Sequence, residues 1–485
     1  MSIIRKLLVA LVVFVVVLLG AWFYLSSTAT TDVPIARTEG TDVTLVEAKP
    51  QSIPRVNISS NVGWAADTAP KVAAGLAINR FATGLAHPRT MLTLPNGDVI
   101  VAETDGPASQ GGGIYRWIEQ MMMRRMGAGT PSPNRLILLR DADGDGVAEQ
   151  RFELRKDGLD SPSGLAWGAG KLYVANHNAV LAFDYVPGAT ALTGQPRKIV
   201  DLPGGGNHWM RNLLLSADGK LLYVAVGSAS NIGGKDMTAE KGRAAIYEID
   251  LATSRMRLFA GGLRNPNGLD WNPASGELWT TVNERDALGP DLVPDYLTNV
   301  PIGAHYGWPW YYWRTYMDER VEAPIPQYIG EYVRKPEYAL GAHTASLGMR
   351  FAAAGNRLGL AYDNGAFVAR HGSWNRDPVS GYDVVFIKFD TNGNPRGQPT
   401  PVLTGFYGTN CKIHGRPTWL AFDKTGALLV SDDTAGIIWR VIAPGAAPNV
   451  GIKPVSVGKI PPRRAIDNAL DADFQRKIED LRGDE

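Results

Sequence analysis

The chain has 485 residues, a length that allows two to four ordinary domains or one large repeat-built domain. Hydrophobic residues make up 45% of it, so it can bury a sizeable core and is not a disordered protein. Its 49 Lys and Arg balance 48 Asp and Glu, which excludes charge-driven nucleic-acid binding as its main role. The single cysteine, Cys411, excludes an intrachain disulfide and a cysteine-based zinc or iron–sulfur site.

The N-terminal region contains an apolar stretch without charges over residues 7–25. A helix needs ~20 such residues to cross a bilayer. Arg5 and Lys6 precede the stretch, which predicts a cytoplasmic N-terminus and a body outside the cytoplasm, in the periplasm if the source is bacterial. The alternative is a cleaved signal peptide, whose apolar core is usually only ~7–15 residues. We predict an uncleaved signal anchor over residues 1–27, then a polar linker over 28–75.

Six copies of one phrase follow, spread over residues 76–445. Each copy has a turn with Gly or Pro, an apolar stretch, a polar turn with Gly, and a β-rich run. The copies begin at Gly84, Gly158, Asn207, Gly262, Ser346 and Gly415. Such runs between glycine turns are typical of antiparallel hairpins. We therefore predict an all-β fold, a six-bladed β-propeller with one copy per blade. The alternative, a pair of β-sandwiches, does not account for the recurring phrase.

Two segments depart from the strand pattern. Residues 114–126 are predicted to form a helix inserted between strands, because their apolar positions follow a helical period. The tail over residues 446–485 contains prolines, then becomes charged and weakly helical. No function is assigned to it.

The loops of all blades meet at one end of a propeller's axis, so a site there draws its residues from different copies. His208 lies in a glycine-rich approach to a strand, and a neutral imidazole there is suited to take a proton from a substrate hydroxyl. Arg264 and Asn265 lie in a turn, where an arginine can form a fork for a carboxylate. With Arg416 and Arg376, several cations aimed at one axial pocket suit a polyanionic ligand. The alternatives are a surface-loop histidine and a turn-stabilising arginine.

Two segments carry the oxygen ligands that Ca²⁺ prefers. One is a tight turn of mixed charge at Gly289 and Pro290, with carbonyls and nearby carboxylates. The other begins with three alternating aspartates, Asp141, Asp143 and Asp145. Position 12 of this second loop is Phe152 rather than Glu, so it is not a standard EF-hand. Its alternative is a solvated acidic turn.

Taken in order, the motifs GGNH, GLRNPNGL, GP-D, YGWP and GRP…LLVSDD…GIIWRV resemble those of the glucose/sorbosone dehydrogenase family. These enzymes are six-bladed propellers that use pyrroloquinoline quinone (PQQ). The resemblance covers roughly residues 76–445 and is closest to the sorbosone-dehydrogenase-like branch. It implies PQQ on the propeller axis, with a Ca²⁺ ion beside its ortho-quinone edge.

The resemblance also implies roles for individual residues. His208 matches the general base, Arg264 and Asn265 match the pair that grips the cofactor, and Arg416 matches an arginine on a PQQ carboxylate. Arg376 stands near a position where the family has a lysine.

The implied metal ligands are the carbonyls of Gly289 and Pro290. Two positions depart from the family pattern. Ser228 occurs where the glucose enzyme has an aspartate that orients the base, and His414 stands where that enzyme has a second arginine.

The activity implied is oxidation of a sugar or alcohol, either an aldose or a sorbosone-like substrate, by hydride transfer to PQQ. The electrons would pass to a respiratory-chain acceptor, a quinone or a cytochrome, with no nucleic-acid partner. Two other functions stay open at this stage. One is a Ca²⁺-dependent, lactonase-type hydrolase using Glu103, Asn283 and Asp432. The other is a membrane-anchored propeller that only binds a partner.

Overall fold

The computed structural model describes residues 3–26, 29–51, 57, 59–107, 125, 132–452 and 454. An apolar α-helix, Ile3–Ser26, precedes six antiparallel sheets, and this confirms the predicted six-bladed propeller. Within it, the span Ile3–Ala21 has a mean hydropathy of 2.7 and the length of a candidate membrane span or signal sequence. The predicted insertion helix, apart from Arg125, and nearly all of the tail lie outside the described residues.

The first three blades each consist of four strands that follow one another in the chain. Blade 1 comprises Pro88–Thr93, Val99–Glu103, Arg135–Arg140 and Gln150–Arg155. Blade 2 comprises Gly164–Gly168, Lys171–Asn176, Ala179–Asp184 and Arg197–Asp201. Blade 3 comprises Leu213–Leu215, Leu221–Val226, Ala245–Asp250 and Met256–Gly261.

The last three blades recruit strands from the N-terminal region. Blade 4 comprises Asn265–Trp271, Leu278–Asn283, Pro294–Asn299, Tyr338–Ala342 and the short Glu39–Gly40. Blade 5 comprises Ser346–Phe351, Gly365–Arg370, Asp383–Phe389, Pro395–Thr404 and the short Lys71–Val72. Blade 6 comprises Pro417–Phe422, Leu428–Asp432, Ile437–Ile442 and Ala77–Ala82. Because Ala77–Ala82 is the outermost strand of blade 6, the ring is closed by pairing the two ends of the propeller.

Several short elements lie outside the main strands. They are the two-stranded pairs Ser60–Asn61 with Lys412–Ile413 and Tyr311–Tyr312 with Tyr316–Met317, the helix Ile329–Tyr332, and the 3₁₀ turns Ile35–Thr38, Thr238–Glu240 and Leu360–Tyr362.

The core lies between neighbouring blades, where aromatic and branched side chains interlock. Trp279 of blade 4 is fully buried and meets Phe351 and Phe389 of blade 5 edge-on, at centroid distances of 6.0 and 5.1 Å. Near the axis the first strands come so close that glycine is required. A Cβ on Gly268 would lie 2.6 Å from the backbone nitrogen of blade 5, and one on Gly348 would lie 2.7 Å from the backbone of blade 6. The glycines of the repeated phrase therefore set how closely the blades pack.

One face of the propeller collects the loops that concern function. In each blade the first strand begins where the second strand ends, as the pairs Asn265↔Asn283, Ser346↔Arg370 and Pro417↔Asp432 show. We call this end of the ring the upper face. The six repeated phrases place their first residues there.

The segment predicted as a polar linker is folded onto the propeller wherever it is described. Glu39 forms an ion pair with Arg370 of blade 5, and the amide of Lys49 donates a 2.9 Å bond to the Leu288 carbonyl on the upper face. Farther along, the indole of Trp64 packs against Phe406. We refer to residues 29–51, 57 and 59–64 as the strap.

Candidate functional site

His208 is held by the end of the second strand of its own blade. Its Nδ1 lies 2.9 Å from both the carbonyl oxygen and the Oγ of Ser228. The Ser228 hydroxyl in turn donates a 2.7 Å bond to the Ser230 carbonyl. A carbonyl can only accept, so Nδ1 carries the imidazole proton and Nε2 keeps its lone pair. Ser228 therefore orients His208 in the tautomer that a general base needs.

The environment of His208 favours its neutral form. Burial lowers its pKa to about 3, and the positive charge of Arg264 acts in the same direction. Arg211 adds a smaller contribution of the same sign, while the Ser228 hydrogen bond and the Asp286 charge oppose it. His208 is thus unprotonated at neutral pH and able to accept a proton.

Arg264 begins blade 4 and lies next to this histidine, because its carbonyl accepts a 2.7 Å bond from the Ser228 amide. All five N–H groups of its buried guanidinium have protein acceptors: Asn231 O and Oδ1, the carbonyls of Asn283 and Glu284, and the carboxylate of Asp286. Arg264 therefore supplies positive charge to the site and fixes the loops around it.

Asn265 follows Arg264 in the chain and packs near His208. A Cβ on Gly227 would lie 2.6 Å from the His208 Cβ, and the Asn265 side chain crowds the same glycine. The Asn265 amide donates a 3.3 Å bond to Asn283 Oδ1. The start of blade 4 and the loop of blade 3 therefore pack directly together.

The loop after the second strand of blade 4 contributes Asp286. His343 Nδ1 lies 3.2 Å from Asp286 Oδ1, and Asn375 of blade 5 donates a 3.1 Å bond to the same oxygen. Burial raises the pKa of Asp286, but the His343 hydrogen bond and the Arg264 charge outweigh it and bring the pKa to about 2. This carboxylate therefore links blades 4 and 5 as a permanent anion.

Arg416 begins blade 6 and is also buried. Its Nη2 donates a 2.8 Å bond to the Tyr382 hydroxyl, and its guanidinium lies 5.2 Å from the centroid of that ring. Its buried Nε has no hydrogen-bond partner among the described residues. Since a buried donor without an acceptor is costly, this nitrogen is suited to receive an acceptor from a ligand.

A second histidine cluster lies beside Arg416. His371 Nε2 is 3.0 Å from the carboxylate of Asp433, which also forms an ion pair with Arg89 of blade 1. Burial alone would raise the pKa of Asp433, but His371 and Arg89 hold it well below its usual value. Arg89 lies 5.8 Å from the ring of Trp209, the residue that follows His208.

These contacts form a ring of residues on the upper face, drawn from blades 3, 4, 5, 6 and 1. His208 and Arg264 join blades 3 and 4, Asp286 and Asn375 join blades 4 and 5, and the His371–Asp433–Arg89 cluster joins blades 5, 6 and 1. The contact of Arg89 with Trp209 leads back to blade 3. Arg416 joins them through Tyr382, whose hydroxyl donates a 3.0 Å bond to the Ser373 carbonyl in the blade 5 loop. Residues from distant parts of the chain, His208, Arg264, Asn265 and Arg416, are therefore connected on this face.

Two residues predicted to bind the cofactor hold the strap in this structure. Arg376 donates a 2.6 Å bond to the Val33 carbonyl and pairs with Asp291 at 3.2 Å. His414 bonds the Gly63 carbonyl through Nδ1 at 2.9 Å and packs on Trp64, at a centroid distance of 5.1 Å. Their cofactor-binding role stays a prediction.

The two predicted calcium segments lie in different places. The carbonyl of Gly289, on the upper face, accepts a 2.9 Å bond from His343 Nε2, and Pro290 follows it. The aspartates lie at the far end of blade 1, between its third and fourth strands, and carboxylate oxygens of four side chains there lie within 4.8 Å of one another. These four are Asp141, Asp143, Asp145 and Glu149.

The side chains considered for a hydrolase are each taken up by structural bonds. Glu103 pairs with Arg135, and Asn283 donates a 2.5 Å bond to the Ser346 carbonyl. Asp432 accepts a 3.0 Å bond from the Trp64 indole.

Several residues of this site were not predicted from the sequence. Asn231 and His343 lie outside the six copies of the phrase, and Asn375 directly precedes Arg376, although only the arginine was predicted to bind the cofactor. Arg89 was detectable, because it lies at the start of the first copy, as Arg416 does in the sixth.

The fold and this ring define a six-bladed propeller protein with a polar cluster on its upper face. The chain belongs to the TrAA12-like family, whose model matches residues 70–295 and 328–443.

Individual relatives agree with this assignment. A PQQ-dependent sugar dehydrogenase of Hypocrea jecorina is 24% identical over 423 residues, covering 76% of this chain and 89% of that protein. The calcium structure of the Trichoderma reesei carbohydrate-active enzyme of family AA12 covers 77% of this chain and 96% of its own, with a TM-score of 0.62 and 22% identity. The holo PQQ domain of a Coprinopsis cinerea pyranose dehydrogenase covers 79% and 100%, with a TM-score of 0.61 and 20% identity. At these identities the solved structures show the shared fold.

Proposed function

We propose that this protein is a PQQ-dependent sugar dehydrogenase that oxidises a hydroxyl or a hydrated aldehyde of an aldose or sorbosone-like sugar. The chain of hydrogen bonds that connects His208, Arg264 and Arg416 on one face carries the proposal. The related PQQ-dependent sugar dehydrogenase supports PQQ-linked sugar oxidation as the general activity.

The residues of the ring fit a flat trianion such as PQQ. The unpartnered Nε of Arg416 would donate a hydrogen bond to a carboxylate of PQQ, and the buried Arg264 would add positive charge nearby. The Asn375 Oδ1 atom is also buried without a partner among the described residues, so it offers an acceptor. When bound, PQQ supplies the site that accepts the hydride.

His208 would act on the substrate. Its bare Nε2 takes the proton of a sugar hydroxyl while the hydride leaves the same carbon, so that the carbon–oxygen bond becomes a carbonyl. Ser228 keeps the imidazole in the required tautomer, and Arg264 opposes a permanent positive charge on it. The sugar thus loses one proton to His208 and one hydride to the cofactor, in sum two electrons and two protons.

Calcium enters the proposal at two separate positions. The carbonyls of Gly289 and Pro290 are proposed to hold an ion beside the cofactor, although the Gly289 carbonyl also accepts a bond from His343. The cluster of Asp141, Asp143 and Asp145 is proposed as a structural ion site, with Glu149 as an additional oxygen donor. A Ca²⁺ titration of Asp143→Asn against the parent chain, followed by melting temperature, separates the two positions.

The apolar helix Ile3–Ser26 is proposed to stay in the membrane, with the propeller on the outer side. The electron acceptor is then proposed to be a quinone or cytochrome of a respiratory chain. Sequencing the mature N-terminus from the membrane fraction tests this part separately.

The test of the activity is reconstitution. The purified full chain is mixed with PQQ and Ca²⁺, and dye reduction is followed with a panel of aldoses and sorbosone. We expect activity that needs PQQ and is lost in His208→Ala. Failure to bind PQQ, together with no dye reduction across the panel, would contradict the proposal.

A further inference from the structure

We propose that the upper face of the propeller is held against the surface of the lipid bilayer, so that the axial site opens towards the membrane. The proposal rests on the anchoring part of the proposed function. The chain leaves the helix and joins the propeller at the upper face.

The first residues of the strap are fixed to two loops of the upper face. The Asp377 amide donates a 2.9 Å bond to the Ala29 carbonyl, and the Thr31 amide donates one of 2.9 Å to the Asp377 carbonyl. The Thr31 hydroxyl donates a 2.6 Å bond to Asp291. Asp377 and Asp291 lie between the second and third strands of blades 5 and 4, so both loops stand on the upper face.

This attachment is buried. Ala29 is 5% exposed, and Arg376, which binds the Val33 carbonyl and Asp291, is 1% exposed. The amide and the carbonyl of Asp377 both bond the strap, and the buried Arg376 bonds it as well. Together these contacts fix the start of the strap in place.

The distance from the membrane helix to this point is short. Three peptide steps separate Ser26, the end of the helix, from Ala29, and an extended chain spans at most about 11 Å over three residues. The strands are typically six residues long, so the upper and lower faces are separated by about 20 Å. A helix that ends at the membrane surface therefore brings the upper face to that surface, and the lower face stays away from it.

An exposed group of aromatic and apolar side chains stands on the rim of the same face. The insertion that carries them is fixed there because Arg320 donates bonds of 3.0 and 2.8 Å to the carbonyls of Asp286 and Ala287. Tyrosines at such a rim suit the interface between lipid and water. The rim residues are Tyr316, Met317, Tyr328 and Tyr332.

The test uses the native cysteine. Cys411 is exposed and lies between blades 5 and 6 on the upper face, where its carbonyl binds the strap. The full chain, labelled at Cys411 with a fluorophore, is reconstituted into phosphatidylcholine–phosphatidylglycerol vesicles with a nitroxide headgroup quencher. The control places the label on the lower face, in a Cys411→Ser, Leu360→Cys variant, because Leu360 is 85% exposed.

We expect quenching at position 411 to exceed that at 360 by about twofold or more, since the faces are ~20 Å apart. Equal or reversed quenching would overturn the proposal, as would a chain that stays in the aqueous fraction.

A second variant carries a flexible Gly-Ser insertion of about 20 residues before Ala29, which spans ~25 Å. We expect quenching at Cys411 to fall to the level at position 360. Unchanged quenching would show that the helix does not hold the face, and would also overturn the proposal. Neither measurement uses PQQ or turnover, so the result is independent of the dehydrogenase assignment.

Discussion

His208 and His371 stand on the same face of the propeller, and burial keeps both neutral at neutral pH, with pKa values lowered to about 3 and about 4. Their hydrogen-bond partners differ. His208 faces the uncharged Ser228, whereas His371 faces the carboxylate of Asp433. The charge of Asp433 is already matched by Arg89, so a carboxylate neighbour does not by itself make a histidine cationic.

The two halves of the ring are therefore built for different tasks. The half from blades 3 and 4 presents a neutral, oriented imidazole next to the positive Arg264. The half from blades 5, 6 and 1 is a compensated ion-pair cluster beside Arg416, whose Nε is unpartnered among the described residues. In the proposed function, the first half transfers the proton and the second half binds the anion.

The largest expected effect comes from removing each histidine in turn. His208→Ala should lower kcat by ~10²–10⁴-fold with little change in PQQ affinity, because only the proton acceptor is lost. His371→Ala should lower the melting temperature and leave most of kcat, because it breaks a structural cluster. Steady-state dye reduction and thermal unfolding measure both. Equal losses of kcat in the two variants would remove the division of tasks.

The two arginines are expected to differ in their effect on PQQ binding. Arg416→Ala should weaken PQQ binding ~30-fold or more, a cost of about 2 kcal/mol, because its guanidinium has a donor to offer a carboxylate. Arg264→Ala should chiefly lower the melting temperature, since its five N–H groups support surrounding loops. Calorimetric titration with PQQ distinguishes them. Intact binding in Arg416→Ala would show that this residue does not contact the cofactor.

Exchanging the partner of the base tests the role of Ser228. Ser228→Asp places a negative charge beside His208 Nδ1, which stabilises the imidazolium and raises its pKa by about 1–3 units. The acid limb of the kcat/KM profile should therefore move to higher pH. Ser228→Ala keeps the carbonyl bond and serves as the control, with a small shift expected. If the pH profiles of the parent, Ser228→Asp and Ser228→Ala proteins coincide, Ser228 does not set the pKa of the catalytic base.

The smallest effect concerns stability in acid. The folded chain holds His208 and His371 neutral below pH 6.5, whereas the same histidines take up protons in the unfolded chain. The free energy of unfolding therefore falls as the pH drops from 6.5 towards 4. His371→Gln should make this fall shallower. Melting temperatures at pH 7 and pH 5 measure it, and an unchanged slope would show that His371 is not the group responsible.

The propeller was predictable from sequence because its hairpins are local. Glycine turns and alternating apolar residues repeat in each copy, and the copies start at the residues that reach the upper face, which is why His208, Arg264 and Arg416 were found together.

Partners from remote parts of the chain were not predictable. Asp286 meets Asn375 across 89 positions and Arg89 meets Asp433 across 344, and neither pair leaves a local pattern. The strap was predicted to be a polar linker, because its strands are only two residues long, too short to show a period of two. Arg376 was predicted to bind the cofactor because of its motif, whereas its partner in the structure, Val33, lies 343 positions away.

Binding of PQQ in one connected site, with His208 deprotonating a sugar, can be measured in a single turnover. The PQQ-loaded chain is mixed with excess aldose in the absence of an electron acceptor, and cofactor absorbance is followed. We expect reduction of one equivalent of PQQ in the parent chain, and stoichiometric binding without fast reduction in His208→Ala. Reduction at the same rate in both proteins, or no binding of PQQ to either, would contradict it.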